Sequence, residues 1–306
     1  MAEPFRIHIL GCGSALPTPR HQPSAQVVEV RGKYFMVDCG EGTQLQMRRA
    51  HINFNKIQAV FISHLHGDHC FGLLGMLSTF GLLGRKAPLQ IFAPVQLEQV
   101  LMLERDVFFR SNFGFEVCFH GIETREPAVI YGDRSLEVTA IPLRHRVPTF
   151  GFLFREKPTL PHIRRDMIDA LGIPLSQINS IKQGADWTAP DGRTYKHEQL
   201  TTPPDATRSY AYISDTRYMP DLAELLQQVD VLYHESTYAD DCQAAAQTYF
   251  HSTAREAAMV ARDAHCSRLQ LGHYSSRYTD ESLLLEQARE VFPQAFLSNE
   301  GDIIEV

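Results

Sequence analysis

Six consecutive residues, His64-Leu65-His66-Gly67-Asp68-His69, constrain this chain more than any other stretch. They follow the apolar run Ala59-Val60-Phe61-Ile62, which reads as a buried strand, and precede a stretch from Cys70 to Phe80 that reads as a helix. The motif therefore occupies the carboxyl end of a strand, where open α/β sheets place their ligands. Imidazole nitrogen and carboxylate oxygen form a donor set suited to Zn²⁺. His64 and His66, two apart in extended chain, point the same way and can share one ion. Asp68 and His69 lie where the chain turns helical and face elsewhere, with Gly67 supplying the bend between the pairs. Two metal ions are expected, not one.

Other apolar runs end in the same kind of residue: Asp38, His145, Asp215, Glu235 and His273. One edge of the sheet system should thus collect imidazoles and carboxylates. The expected first ion takes His64, His66 and His145, and the second takes Asp68, His69 and His273. Asp215 bridges them, because two carboxylate oxygens can hold ions ~3.5–4 Å apart. Asp68 is also placed to accept a proton from water. His251 precedes Thr253-Ala254-Arg255-Glu256, an S/T-x-x-E capping box that would fix the helix start and so the imidazole. Paired with Glu235, it could stay protonated near neutral pH and serve a leaving group; an ordinary histidine beside a helix cap fits the same residues. Asp38 either buttresses the metal histidines or leads into a helix from Gln44 to Ala50 whose first amides hold an anion. Gly11-Cys12-Gly13, with the loop Ser14 to Arg20 behind it, fits either phosphate binding or plain turn chemistry.

At 306 residues, alternating strands and helices predict one layered α/β domain over 1–306 with an insertion. The insertion is 155–204, rich in Pro and Gly, with one helical pattern at Ile163 to Leu171 and a turn at Pro190-Asp191-Gly192. Fifty such residues exceed an ordinary connection and suggest a functional arm or lid. A formal charge of −7 argues against indiscriminate nucleic-acid binding, so a polyanion would have to be held by the ions and a local basic patch. Six scattered cysteines without a C-x-x-C pair, no basic-then-apolar start and no run of membrane-spanning length point to a reduced, cytoplasmic protein without a membrane segment.

Together these residues resemble a known family. The six-residue motif with His145, Asp215 and His273 in that order is similar to the metallo-β-lactamase fold, which implies an αββα sandwich with a dinuclear zinc site. Gly11-Cys12-Gly13-Ser14-Ala15, Asp38-Cys39-Gly40-Glu41-Gly42-Thr43, His234-Glu235-Ser236-Thr237, His251-Ser252-Thr253 and Ser276-Arg277-Tyr278 narrow the resemblance to the RNase Z family. The resemblance implies a zinc endoribonuclease that removes the 3′ trailer of precursor tRNA, leaving a tRNA 3′-hydroxyl and a trailer 5′-phosphate. It implies Glu235 and His251 as the proton-donating pair, and contact of Arg277 and the Ser14–Thr18–Arg20 loop with the acceptor stem. It also implies homodimers, and it makes 155–204 the arm that grips the tRNA body. The arm departs from expectation in charge: between 155 and 200 it holds seven Lys/Arg against six Asp/Glu, although phosphate contact favours cations. Two other readings stand beside this one. One is a small-substrate phosphodiesterase or other dinuclear-zinc hydrolase on the same scaffold; the other is an RNA-binding protein with a decayed centre.

Overall fold

The computed structural model describes residues 3–306, and its contacts divide into two compact units, 3–155 with 208–306 and 156–207. The larger unit is built on two seven-stranded sheets. In spatial order the first holds Ile303–Glu305, Phe5–Gly11, Ala25–Val30, Lys33–Cys39, Ile57–Phe61, Leu89–Pro94 and Val117–Ile122. The second holds Ala295–Leu297, Arg268–Gly272, Val231–Glu235, Ser209–Ile213, Phe150–Glu156, Leu136–Pro142 and Ala128–Gly132.

Continuous apolar sequence forces this layering. Ala59, Val60 and Phe61 are each fully buried, so successive side chains must find cover on opposite faces of the sheet. On one face Phe61 meets Phe152 and Phe154 of the other sheet, both with ring centroids at 5.5 Å. On the other face Val60 joins Met47, Leu73, Met76, Leu77 and Leu101 from the helices Thr43–Arg49, Gly72–Leu82 and Leu97–Phe108. The second sheet is covered likewise by Ala254–Asp263 and Ser282–Arg289, through Ala257, Ala261 and Leu284. The result is an αββα sandwich. A Phe61→Ala change would empty its middle at a cost of roughly 3–5 kcal/mol.

Ser209–Ile213, Val231–Glu235 and Arg268–Gly272 pair in parallel without a shift, and Lys33–Cys39 pairs in parallel with Ile57–Phe61 from Phe35 on, after a register shift at Tyr34, so carboxyl ends gather along one edge of each sheet. Close backbone approach holds the loops there together. A Cβ on Gly72 would lie 2.0 Å from the Gly40 carbonyl oxygen, and one on Gly40 would lie 2.4 Å from that of Asp68. Only glycine lets the helix after the motif seat on the loop after Asp38.

Some elements differ from the sequence reading. Val117–Ile122 and Ala128–Gly132, not anticipated, are the outermost strands of the two sheets and are largely half-exposed. Edge strands lack the continuous burial that makes an apolar run conspicuous. Leu222–Leu225 forms a single helical turn, and Gln228 beyond it is left-handed at φ 57°.

The smaller unit, 156–207, has a small core of its own. Three short helices (Arg165–Leu171, Leu175–Lys182, His197–Leu200) and a hairpin pairing Trp187–Thr188 with Thr194–Tyr195 enclose Ile168, Ile173, Ile181, Trp187 and Leu200. The hairpin turns at Gly192, φ 86°, as the Pro-Asp-Gly sequence predicts. The two further helices give no periodic signal in sequence because each offers a single buried residue, Ile181 in one and Leu200 in the other.

Candidate metal centre and proton donor

His64 and His66 leave the end of strand Ile57–Phe61 in extended chain, and Gly67–Cys70 then turns helical, carrying Asp68 and His69. Two groups of ligand atoms result. His64 Nε2 lies 3.0 Å from His66 Nδ1, and His145 Nε2 lies 3.3 Å from that same nitrogen. In the second group His69 Nε2 lies 3.3 Å from His273 Nε2, and both face Asp68 Oδ2, at 3.4 and 3.6 Å. Asp215 stands between them. Its Oδ2 faces His64 and His145 at 3.5 and 3.7 Å; its Oδ1 faces His69 and His273 at 3.3 and 3.1 Å.

These spacings fit ions. A tetrahedron with ~2.1 Å metal–ligand bonds has edges of about 3.4 Å. Imidazole nitrogens and carboxylate oxygens gathered at such distances make a donor set that could hold a cation. The outward nitrogens are committed elsewhere. His64 Nδ1 meets Ser63 Oγ at 3.0 Å, His69 Nδ1 meets Asp38 Oδ2 at 2.7 Å, His145 Nδ1 meets the Phe250 carbonyl at 2.9 Å, and His273 Nδ1 meets Thr237 Oγ1 at 3.0 Å. Such partners fix the tautomer that turns Nε2 inward.

Charge is matched to this task. Burial, then the neighbouring His69, keeps the His64 pKa well below its ordinary value, and burial lowers those of His66 and His145. Burial opposes ionisation of Asp68 and Asp215, yet the surrounding imidazoles overcome it and hold both far below the carboxylate range. His69 moves upward: burial is outweighed by Asp215, Asp68 and Asp38. It carries a proton that an ion would displace.

The backbone is strained at the same places. Asp38, Asp215 and His273 take left-handed φ of 56°, 47° and 59°, at roughly 1–3 kcal/mol each for residues other than glycine. Asp38 is fully buried and accepts from Ser63 N–H (2.7 Å), Ser63 Oγ (2.8 Å) and Tyr212 OH (2.7 Å) as well as His69. Of its two expected roles, the structure gives it the buttress.

The second pair stands beside this centre. Thr253 and Glu256 form the capping box, with Thr253 N–H donating to the Glu256 carboxylate at 2.9 Å. This fixes the chain two residues beyond His251. His251 Nδ1 lies 3.0 and 3.2 Å from the two oxygens of fully buried Glu235. Thr216 N–H donates to Glu235 Oε1 at 2.6 Å and Thr237 Oγ1 to Oε2 at 2.5 Å. The His251 ring sits 5.3 Å from His145 and 5.5 Å from His273. Burial acts to lower its pKa, but Glu235, with Asp215 behind it, raises it to about 9.

Ribonuclease Z of Bacteroides thetaiotaomicron is 50% identical over 304 residues, covering 99% of this chain and 96% of that relative. Ribonuclease Z of Phocaeicola vulgatus is 50% identical over 298 residues, covering 97% and 96%. The chain belongs to the ribonuclease Z family. Residues 5–158 of this ribonuclease Z-family chain also fit a family model described as the anti-Pycsar protein Apyc1, so that half falls within that family's bounds too; it includes His64 to His145 and ends before Asp215. In fold, the chain is similar to the short form of human tRNase Z, with a TM-score of 0.71 at 24% identity over 98% of each chain. The metallo-β-lactamase fold protein YhfI of Bacillus subtilis gives 0.69 at 17% identity, over 99% and 100%.

Among the candidate substrate residues only Ser14 lines the cavity at the centre, a space of about 450 Å³ bounded also by Asp68, Asp215 and His251. Thr18 shapes its own loop, its hydroxyl accepting from His21 N–H at 2.9 Å. The Arg20 guanidinium is engaged by Glu281 and the Thr279 carbonyl. Arg277 lies across Tyr238 at 4.9 Å, and the Tyr238 ring is 6.0 Å from His251. Two residues absent from the sequence reading, Phe71 and Arg146, line the cavity. Arg146 follows a ligand candidate directly, a signal that was there to read; Phe71, an apolar residue 68% exposed at the rim, looked like helix core. His21 is held by Glu300 Oε2 at 3.0 Å and faces Glu281 at 3.4 Å.

Proposed function

We propose that this ribonuclease Z-family enzyme is a zinc-dependent endoribonuclease that removes the 3′ trailer of precursor tRNA. Two Zn²⁺ would be held by His64, His66 and His145 and by Asp68, His69 and His273, with Asp215 shared. The observation that carries this reading is Asp215, one oxygen turned to each histidine group. Bound there, the ions would lower the pKa of water and stabilise the charge that develops on a phosphodiester. Asp68, which lines the cavity at the centre, would accept a proton from the attacking water. His251, kept protonated by Glu235, returns one to the departing 3′-oxygen of the tRNA. The trailer leaves with a 5′-phosphate.

The reading extends to recognition. Ser14, Thr18, Arg20 and Arg277 would meet the acceptor stem, Thr18 and Arg20 by shaping the loop and Arg277 by direct charge. The inserted arm, 155–204 by sequence, would grip the tRNA body; its near-neutral charge fits recognition of RNA by shape. A homodimer is supported by helix Leu97–Phe108, whose Leu103, Val107 and Phe108 are 65%, 61% and 74% exposed; sedimentation should give twice the chain mass, and a monomer would overturn this part. Among the described residues no helix is long and apolar enough to cross a membrane. The six cysteines are all unpaired, which suits the cytoplasm.

The test compares precursor tRNA with bis-p-nitrophenyl phosphate, before and after chelation and zinc return. Cleavage of the precursor that is lost to chelator and restored by zinc supports the reading. Turnover of the small ester alone favours a small-substrate phosphodiesterase.

A further inference from the structure

Thr237 lies where the metal centre and the proton-donating pair meet. It is 2% exposed, and its hydroxyl oxygen is 2.5 Å from Glu235 Oε2, 3.0 Å from His273 Nδ1 and 3.0 Å from the His273 carbonyl oxygen. His251 Nδ1 is also near, at 3.4 Å. A hydroxyl has one hydrogen to give and two lone pairs to receive, so the direction of each bond can be worked out. His273 turns Nε2 toward Asp215 and Asp68. As a ligand through Nε2 it must carry its hydrogen on Nδ1, and the acceptor in reach is Thr237 Oγ1. The threonine's own hydrogen is then free for Glu235, at a distance typical of a bond to an ionised carboxylate.

We propose that Thr237 is a positioning residue that couples ion binding at the Asp68–His69–His273 group to the Glu235–His251 pair. By accepting from Nδ1 it fixes the His273 tautomer; by donating to Oε2 it orients Glu235 so that Oε1 is left to His251 and the Thr216 amide. Each half supports the other through one hydroxyl. An ion on Nε2 makes the imidazole a better donor to Thr237, and a donor-engaged Thr237 is the better-poised partner for the carboxylate. This inference rests on the metal-binding role proposed above.

The pair Thr237→Val and Thr237→Ser separates this from packing. Valine keeps the branched shape and loses the hydroxyl; serine keeps the hydroxyl and loses the methyl. Zinc affinity of the full-length protein is measured by chelator competition, with single-turnover cleavage at saturating zinc and thermal unfolding alongside. T237V should weaken the zinc at the Asp68–His69–His273 group by about 10–100-fold, the usual loss when an outer partner of a ligand is removed, while T237S stays near the parent in affinity and rate. Glu235→Gln should lower zinc affinity in the parent but have little further effect in T237V. If T237V binds zinc as the parent does, or T237S is impaired as much as T237V, the coupling is wrong and the methyl matters instead. A parent that binds no zinc overturns the metal reading itself, a result distinct from either.

Discussion

Glu235→Gln tests the proton-donating pair without touching the ligand set. In the parent, burial would push His251 down, and the Glu235 carboxylate reverses this to about 9 from an ordinary 6.5. Without that charge burial dominates, and the imidazole should titrate at or below 6.5, its ordinary value. The difference is at least ~2.5 pH units, or about 3 kcal/mol at 1.36 kcal/mol per unit. A raised pKa keeps the donor protonated through neutrality and loses it only as pH climbs through about 9; in the variant the loss begins as pH climbs through the ordinary value. At pH ~7.5 the protonated share therefore falls from ~97% to ~10% or less. The assay is single-turnover cleavage of precursor tRNA by zinc-loaded protein at a series of pH values from about 5.5 to 9. The variant should lag the parent by ~10-fold or more at pH ~7.5, with the gap narrowing on acidification and widening on the alkaline side. The comparison is made at saturating zinc, where both proteins should be fully loaded, so the lower zinc affinity expected of the variant does not enter the rate. A rate ratio that is constant across pH would refute the reasoning, because it would mean that Glu235 does not act by holding a proton on His251.

Asp215→Ala should abolish cleavage and release most bound zinc, since both groups lose a ligand; full metal content in the variant would contradict the bridging assignment. Deleting 157–203 should depress precursor tRNA cleavage far more than hydrolysis of bis-p-nitrophenyl phosphate, and equal losses would remove the arm from substrate recognition. Glu300→Gln tests the clamp on the Ser14–Arg20 loop. The hydrogen bond to Glu300 raises the His21 pKa from 6.5, against burial; burial would raise Glu300, but the bond to His21 and the Gln22 amide lower it from 4.5. The His21 contribution is complete below its unfolded value and fades as pH rises through its raised one, while that of Glu300 is complete above its unfolded value and fades as pH falls through its lowered one. The loss of melting temperature in Glu300→Gln should thus be widest between about pH 4.5 and 6.5 and shrink toward alkaline pH; a loss that grows with pH would overturn the clamp.

The candidate cluster of metal-ligating residues was legible because its chemistry is concentrated. Three imidazoles and a carboxylate in six residues, at the end of a buried strand, leave few uses, and the distant His145, Asp215 and His273 each follow an apolar run. Strand ends in a parallel arrangement share one edge, so sequence order alone told which residues could meet. Asp38 was readable as a candidate buttress, but its choice among roles depended on Ser63, His69 and Tyr212 arriving from three other strands and turns. Thr237 and Thr216 were invisible as contributors, because a hydroxyl or an amide gains meaning only from what faces it. Arg20 was placed by the resemblance in a loop that meets the acceptor stem; what the sequence did not show is that Glu281, 261 positions later, engages its guanidinium. The arm's extra helices and small core escaped because periodicity needs several buried residues to show, and each helix there supplies too few.

The central claim is that these side chains assemble around a pair of cations to direct water, not a ribose hydroxyl, at an RNA phosphodiester. The measurement that tests it most directly is the chemistry of the two new ends after zinc-loaded protein cleaves precursor tRNA with a 3′ trailer. The account predicts a single cut, a tRNA ending in a 3′-hydroxyl and a trailer beginning with a 5′-phosphate. A 2′,3′-cyclic phosphate on the tRNA would contradict it, because the attacking oxygen would then have come from the RNA itself.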